Sequence, residues 1–211
     1  MTRAEIKSEV FRRLQESSSA PVYWTEDDVE TAIDEGYAEI SDATEWYERY
    51  ITVDLLNERP WYDARTVIGD SCLAVGPVFN EQTNRWLTSN AITDLDKGDR
   101  RWERVTGEPQ RILRRGLWWF GYWPRVTADS GTVKQYFTGL PDAMDEELDE
   151  PGFPEPYHYG LVEYALYDLW AQDAESQKAL QAWQAYIGYE TGLLAFVDDR
   201  IQVPMWRGAQ G

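Results

Sequence analysis

Residues 24–37, Trp24-Thr25-Glu26-Asp27-Asp28-Val29 running on to Asp34-Glu35-Gly36-Tyr37, encode a helix with a sharply marked start. Thr25 is placed as an N-cap, and Asp28 stands at the third helical position, where a carboxylate answers it. Trp24 is positioned to staple onto Val29. Glu26, Asp27 and Asp28 put negative charge on the positive end of the helix dipole, an effect of about 0.3–1 kcal/mol each at an exposed site. They mark a boundary and require no ligand. The stripe Val29, Ile33, Tyr37 and Ile40 carries the helix to about Trp46. Gly36 lies inside it at a cost of roughly 1 kcal/mol relative to Ala, which calls for a closely approaching neighbour or a function that tolerates the loss.

The other elements are read around that helix. Thr2 and Glu5 form a capping box for a helix over about Ala4 to Gln15, with Ile6, Val10 and Leu14 on one face. Between about Tyr50 and Leu140 the pattern changes to short β-like runs: Ile51–Leu55, Cys72–Val75, Arg85–Leu87, Leu117–Phe120 and Thr132–Phe137. A hairpin loop is expected at Asn80 to Asn84, a tight turn at Ser130-Gly131 and a short helix around Ala91 to Leu95. Helical spacing returns at Tyr157, with Leu161, Tyr164, Ala165, Asp168 and Leu169 ending near Asp173. A long helix with Leu180, Trp183, Ile187 and Leu194 follows.

The expected class is α+β, a helical bundle formed by the N-terminal and C-terminal helices with an inserted antiparallel β-rich module. Residues 1–49 and 157–199 supply the bundle, 50–140 the insertion, 141–156 an acidic, proline-rich, solvated linker, and 200–211 a C-terminal extension.

At 211 residues the chain is long enough to bury a sizeable core. No apolar run is long enough for a bilayer, and the N-terminus opens directly into helical pattern, so a soluble, unexported product is expected. Cys72 is the single cysteine, which excludes a disulfide framework within one chain and fits a reducing compartment.

The net charge of −18 is unevenly spread. Residues 1–50 hold 13 acidic and 5 basic groups, and residues 139–199 hold 14 acidic and 1 basic, whereas residues 97–125 hold 3 acidic and 8 basic. The total argues against general nucleic-acid binding, which needs cationic charge to displace counterions from phosphate. The basic middle, Arg100, Arg101, Arg104, Arg111, Arg114 and Arg115, is expected instead to pair with the acidic face of a neighbouring identical subunit, since arginine suits bidentate contacts with carboxylates. Unlike faces meeting head to tail, repeated by rotation, close a ring. Trp118 and Trp119 fall in a β-like run where alternate residues face opposite ways, so an aromatic is left facing outward, at a subunit interface.

Enzyme chemistry finds no positive signal. His158, the only histidine, lies between two tyrosines with no serine or cysteine partner indicated, and Cys72 sits in an apolar run without a base. The acidic loop from Asp142 to Glu150 lacks EF-hand spacing. No phosphate loop, HExxH pair or GxSxG elbow occurs, and no catalytic, cofactor or metal residue is assigned. Eleven tryptophans and many carboxylates keep one alternative open, a carbohydrate-binding or glycoside-cleaving module. Against it, Trp46, Trp170 and Trp183 fall in helical segments, where aromatics more often pack in a core or interface.

Several short segments occur in a telling order: Trp24-Thr25-x-x-x-Val29 with Asp34-Glu35-Gly36-Tyr37, Asn84-Arg85-Trp86-Leu87, Trp102-Glu103-x-x-x-Gly107-x-Pro109, Trp123-Pro124, and Leu161-Val162-x-Tyr164-Ala165-Leu166. With them the chain resembles the head-to-tail adaptor (connector) proteins of tailed bacteriophages. The resemblance implies a structural virion protein at the neck, made in the host cytoplasm. It implies a ring, usually of twelve copies, beneath the portal protein, joined below to a tail or nozzle protein, with DNA passing through and no membrane partner. A tail-completion protein lower in the neck would share this assembly behaviour. The resemblance also implies portal docking through a terminal extension, which here places Arg200, Trp206 and Arg207 at that contact. An acidic channel would then offer DNA few cationic groups to hold it.

Overall fold

The computed structural model describes residues 1–15, 23–56, 61–69, 71–98, 101–127 and 131–201. In chain order these form α1 (Arg3–Leu14), α2 (Glu26–Thr44), β1 (Glu48–Asp54), β2 (Tyr62–Asp63), α3 (Ala64–Val67), β3 (Cys72–Asn80), β4 (Arg85–Trp86), β5 (Thr88–Asn90), α4 (Ile92–Gly98), β6 (Arg111–Arg115), β7 (Trp119–Trp123), β8 (Thr132–Gly139), α5 (Tyr159–Gln172) and α6 (Ser176–Ile201). They divide into two compact units, a helical one built from Met1–Trp46 and the chain from Pro141 onward, and a β-rich one, Tyr47–Leu140. The class is the α+β arrangement expected, with six helices and two antiparallel-rich sheets.

Both N-terminal helices begin as their caps dictate. The Thr2 hydroxyl accepts from Glu5 N at 3.3 Å and Thr2 N donates to the Glu5 carboxylate at 3.0 Å. Thr25 and Asp28 repeat the exchange at 3.2 and 2.9 Å. The two free N–H groups at the start of α1 are also satisfied: Arg3 N donates to the Asp149 carbonyl at 2.8 Å and Ala4 N to that of Glu147 at 3.0 Å. Residues 141–156 are thus docked rather than merely solvated. Their carboxylates mostly point outward, but Met144 and Phe153 are buried, and Gly152 N donates to the Tyr37 hydroxyl at 3.1 Å.

The helical core joins Ile6, Val10 and Phe11 of α1, Val29, Ile33, Tyr37 and Ile40 of α2, Leu161, Leu166 and Leu169 of α5, and Tyr186 and Leu193 of α6. Gly36 has a packing reason, because a Cβ there would lie 2.8 Å from Tyr164 Cδ1. α2 stops at Thr44, two residues short of Trp46, with Glu45 in the left-handed conformation at φ 46. Trp46 folds back instead, donating from its indole to the Ser41 hydroxyl at 3.0 Å.

On α6 the buried stripe is Ala179, Ala182, Tyr186 and Leu193, with Trp183 half-buried. The sequence pattern places Leu180, Ile187 and Leu194 on the core side, and the structure corrects this: all three face outward. Small residues at 179 and 182 let α6 lie close to the bundle, and Tyr186 fills the space below them.

The β unit holds two four-stranded sheets, ordered β1-β8-β3-β4 and β2-β7-β6-β5. Every pair is antiparallel except β5 with β6. The hairpin at Asn80–Asn84 forms where expected, its loop held by the Asn80 side chain accepting from Gln82 N and Thr83 N at 3.0 and 3.3 Å. Gly131 has the positive φ, 85°, that a tight turn asks for, while Ser130 lies outside the described residues. The run expected as a strand at Leu117–Phe120 is displaced: Gly116 at φ 62 opens a turn over 116–118, and the strand starts at Trp119.

Acid should weaken the fold through Glu9. Hydrogen bonds from Arg12 chiefly, and from Arg13, hold its pKa down to about 2, against a smaller opposing effect of burial. A depressed carboxyl binds fewer protons folded than unfolded, so this stabilisation is full above the ordinary carboxylate range and disappears as pH falls toward 2. Glu9→Gln should flatten the loss of melting temperature between pH 5 and pH 2.5, and an unchanged slope would assign acid sensitivity elsewhere.

Candidate assembly surfaces

The arginines picked out by charge counting do not form one patch of equivalent groups. Arg101 caps and Arg104 ends a short 3₁₀ turn, Trp102–Arg104, and Arg111, Arg114 and Arg115 lie on β6; Arg100 is outside the described residues. The Arg111 guanidinium sits 5.1 Å from the Trp123 ring centroid. Arg114 donates to the Gly76 carbonyl at 3.4 Å, and burial lowers its pKa while leaving it charged at neutral pH. Among the described residues, Arg104, Arg111, Arg114 and Arg115 make no ion pair with any carboxylate. In a chain of net charge −18 that is an unusual isolation.

Arg125, counted in the basic middle but not named among its interface arginines, joins this set in the structure. With Arg104 it lines a cavity of about 260 Å³ walled by Trp61, Trp102, Leu113, Tyr122 and Trp123, with Glu103 at its edge. Its Nε is buried without a hydrogen-bond partner among the described residues. The signal was present in the Trp123-Pro124-Arg125 segment, but only folding brings it to Arg104. The two tryptophans assigned to an interface separate. Trp119 is exposed and pairs across the hairpin with Arg115, whereas Trp118 packs partly against the β core with the Arg65 guanidinium 5.8 Å from its ring.

An acidic surface lies on α2. Asp28, Glu35, Glu39 and Asp42 are exposed and spaced by seven, four and three residues, so they form one outward stripe. Asp28 alone of these is tied down, by the cap that lowers its pKa through the Thr25 hydroxyl and backbone N–H. A second acidic group, Glu26, Glu30 and Glu147, converges within 4.8 Å, and the Lys7 ammonium sits among the three.

The nucleophile candidates are structural. Cys72 is buried on β3, and burial pushes its thiol pKa up. His158 is buried with both ring nitrogens engaged, Nε2 donating to the Phe153 carbonyl and Nδ1 accepting from the Met1 ammonium, each at 2.8 Å. Trp46, Trp170 and Trp183 pack against the helical core. Arg200, on the last turn of α6, stacks its guanidinium 4.3 Å over Phe196, and Trp206 and Arg207 lie outside the described residues. No described helix is long and apolar enough to cross a membrane.

Comparison with curated proteins yields no match. The sequence profile of one family, described as SU10 adaptor protein, matches residues 1–206, nearly the whole chain. With its helices at both ends around a β-rich insertion and its charged surfaces, the chain belongs to the SU10 adaptor protein family, a family of phage structural adaptors.

Proposed function

We propose that the chain is a head-to-tail adaptor that forms a ring of twelve copies beneath the portal, links it to the tail or nozzle, and gives DNA an acidic passage. The observation that carries the self-association is that Arg104, Arg111, Arg114 and Arg115 of the β unit make no ion pair among the described residues, in a chain of net charge −18 that exposes Asp145, Glu146 and Glu150 on the segment before α5. Contacts between opposite charges on successive copies satisfy both, and a heterologous contact repeated by rotation closes on itself. The interface residues are Arg100, Arg101, Arg104, Arg111, Arg114, Arg115, Trp118 and Trp119.

The α2 stripe of Asp28, Glu35, Glu39 and Asp42 faces the channel in this reading, because carboxylates leave the phosphate backbone nothing to grip. Arg200, Trp206 and Arg207 anchor to the portal, since tryptophan and arginine dominate interface hot spots.

Mass photometry and negative-stain averages of the purified chain, alone and with its portal, test the reading. Rings alone or on the portal are expected, along with their loss when Arg104, Arg111 and Arg115 are changed to glutamine. Truncation after Asp199 should abolish portal docking, and lysines in place of the α2 carboxylates should slow DNA release. A chain that stays monomeric in all these mixtures and binds glycans would replace this reading with the carbohydrate one.

A further inference from the structure

We infer that the outward face of α6 between Leu180 and Ala195 is a contact surface for a second copy of this chain. The inference rests on the ring-forming reading and names a surface that the charged groups do not supply. Leu180, Ile187 and Leu194 are 56, 37 and 40 % exposed. They recur every seventh residue and so share one stripe, about 21 Å long at the helical rise.

The stripe is notable for what surrounds it. Every exposed residue from Leu180 to Ala195 is uncharged, whereas exposed Lys178 precedes the span and exposed Asp198, Asp199 and Arg200 follow it. Glu190, the one charged residue within the span, is half-buried beside Tyr186.

Gly188 lies in the middle of this face. A glycine inside a helix weakens it relative to alanine, and the other glycines in helix interiors have packing reasons: a Cβ would meet Tyr164 at 2.8 Å from Gly36, Tyr189 at 3.1 Å from Gly160 and Tyr157 at 3.2 Å from Gly192, while Gly98, also open, is the last residue of α4. At Gly188 an added Cβ meets nothing within 4 Å. A notch that no described residue fills, flanked by leucine and isoleucine at heptad spacing, suits a helix laid along α6 at a shallow angle with close backbones.

Charge identifies the occupant. Two copies each carrying −18 repel, and pressing their carboxylates together adds desolvation to that repulsion. A face without charge is where copies of an acidic protein approach at least cost. A basic partner would be met by the acidic stripe of α2 instead.

Ile187→Asp and Leu194→Asp, each at an exposed position, should leave the melting temperature of the monomer near that of the wild type and raise the concentration needed for ring formation at least 100-fold in mass photometry. Gly188→Leu is the sharper variant. It should melt no lower than the wild type, because it gains helix propensity into open space, yet fail to assemble. Gln184→Cys on the same exposed face should react readily with a maleimide in the monomer and lose that reactivity in assembled rings, which reads the contact without disturbing the fold.

Rings that form normally in the aspartate and leucine variants, or a Gln184→Cys thiol that stays equally reactive in assembled rings, overturn this inference alone. A wild-type chain monomeric at every concentration and with portal present overturns the ring reading as well. Variants that self-assemble but no longer bind portal assign the face to the portal and overturn the second-copy inference.

Discussion

Lys7→Met is expected to destabilise the helical unit by about 2–3 kcal/mol, far more than its place in a polar-looking stretch of α1 would indicate. The Lys7 ammonium lies 2.5 Å from Glu26, 2.9 Å from Glu30 and 2.5 Å from Glu147, so it ties α1 to α2 and to the docked segment before α5. Its side chain is 8 % exposed, whereas those of Glu26 and Glu147 are 55 and 59 % exposed. Breaking a fully buried pair costs about 3–5 kcal/mol and an exposed pair under about 1, and this network falls between them.

Burial alone would lower the Lys7 pKa, but the hydrogen bonds to Glu147, Glu26 and Glu30 outweigh it and leave the pKa raised. A raised lysine pKa means stability fully present below the ordinary lysine range and lost only as pH climbs through the folded value. The gap between variant and wild type should therefore stay constant through neutral pH and narrow only in strong alkali. Adding Glu30→Gln to Lys7→Met should recover part of the loss, since it removes one of three carboxylates left facing each other. Urea denaturation of the two variants measures this, and a double variant no better than the single would mean the loss is one of packing.

Local signals told most about the parts of the fold that are local. The capping boxes at Thr2 and Thr25 and the four-residue spacing of Val29, Ile33, Tyr37 and Ile40 depend on neighbours in sequence, and the helices form where these indicate. On α6 the same reasoning picks a stripe one residue away from the buried one. Apolar residues there come in adjacent pairs, at 179 and 180, 182 and 183, 186 and 187, and 193 and 194, so periodicity supports two faces about 100° apart. Close approach through Ala179 and Ala182 decides between them, and that is a tertiary fact.

β6 escaped notice because arginines at 111, 114 and 115 leave only Ile112 and Leu113 as buried residues, too short a run for alternation to register. The candidate surfaces divide the same way. Charge counting located the arginines, but their lack of partners, and the meeting of Arg104 with Arg125, depend on which chain segments fold past them. Nothing local in the sequence marks Lys7, because its three carboxylates come from two other segments, one of them 140 residues away.

In the β unit, Gln135→Glu is expected to cost about 3 kcal/mol although it changes one amide for a carboxylate of the same shape. The register of β3 on β8 shifts between Val75 and Val78, which pair with Phe137 and Gln135, so Gly76 and Pro77 form a bulge whose carbonyls leave the ladder. The buried Gln135 amide answers them, with Nε2 donating to the Gly76 and Pro77 carbonyls at 3.0 and 3.1 Å and to that of Tyr136 at 2.6 Å. Its Oε1 accepts from the Tyr122 hydroxyl of the second sheet at 3.4 Å. One side chain therefore repairs the bulge and joins the sheets. A carboxylate accepts but does not donate, so the variant leaves the Pro77 carbonyl unanswered and that of Gly76 with only the 3.4 Å bond from Arg114, at about 1–3 kcal/mol for each buried group left unpaired, and places a negative charge against them.

Protonation restores a donor. The stability of Gln135→Glu should accordingly rise as pH falls from 7 toward 5, the reverse of the acid weakening expected through Glu9. Gln135→Leu, which has no proton to gain, should be equally destabilised and show no such recovery. Parallel pH dependences for the two variants would mean that the cost lies in shape rather than in the hydrogen bonds of the bulge.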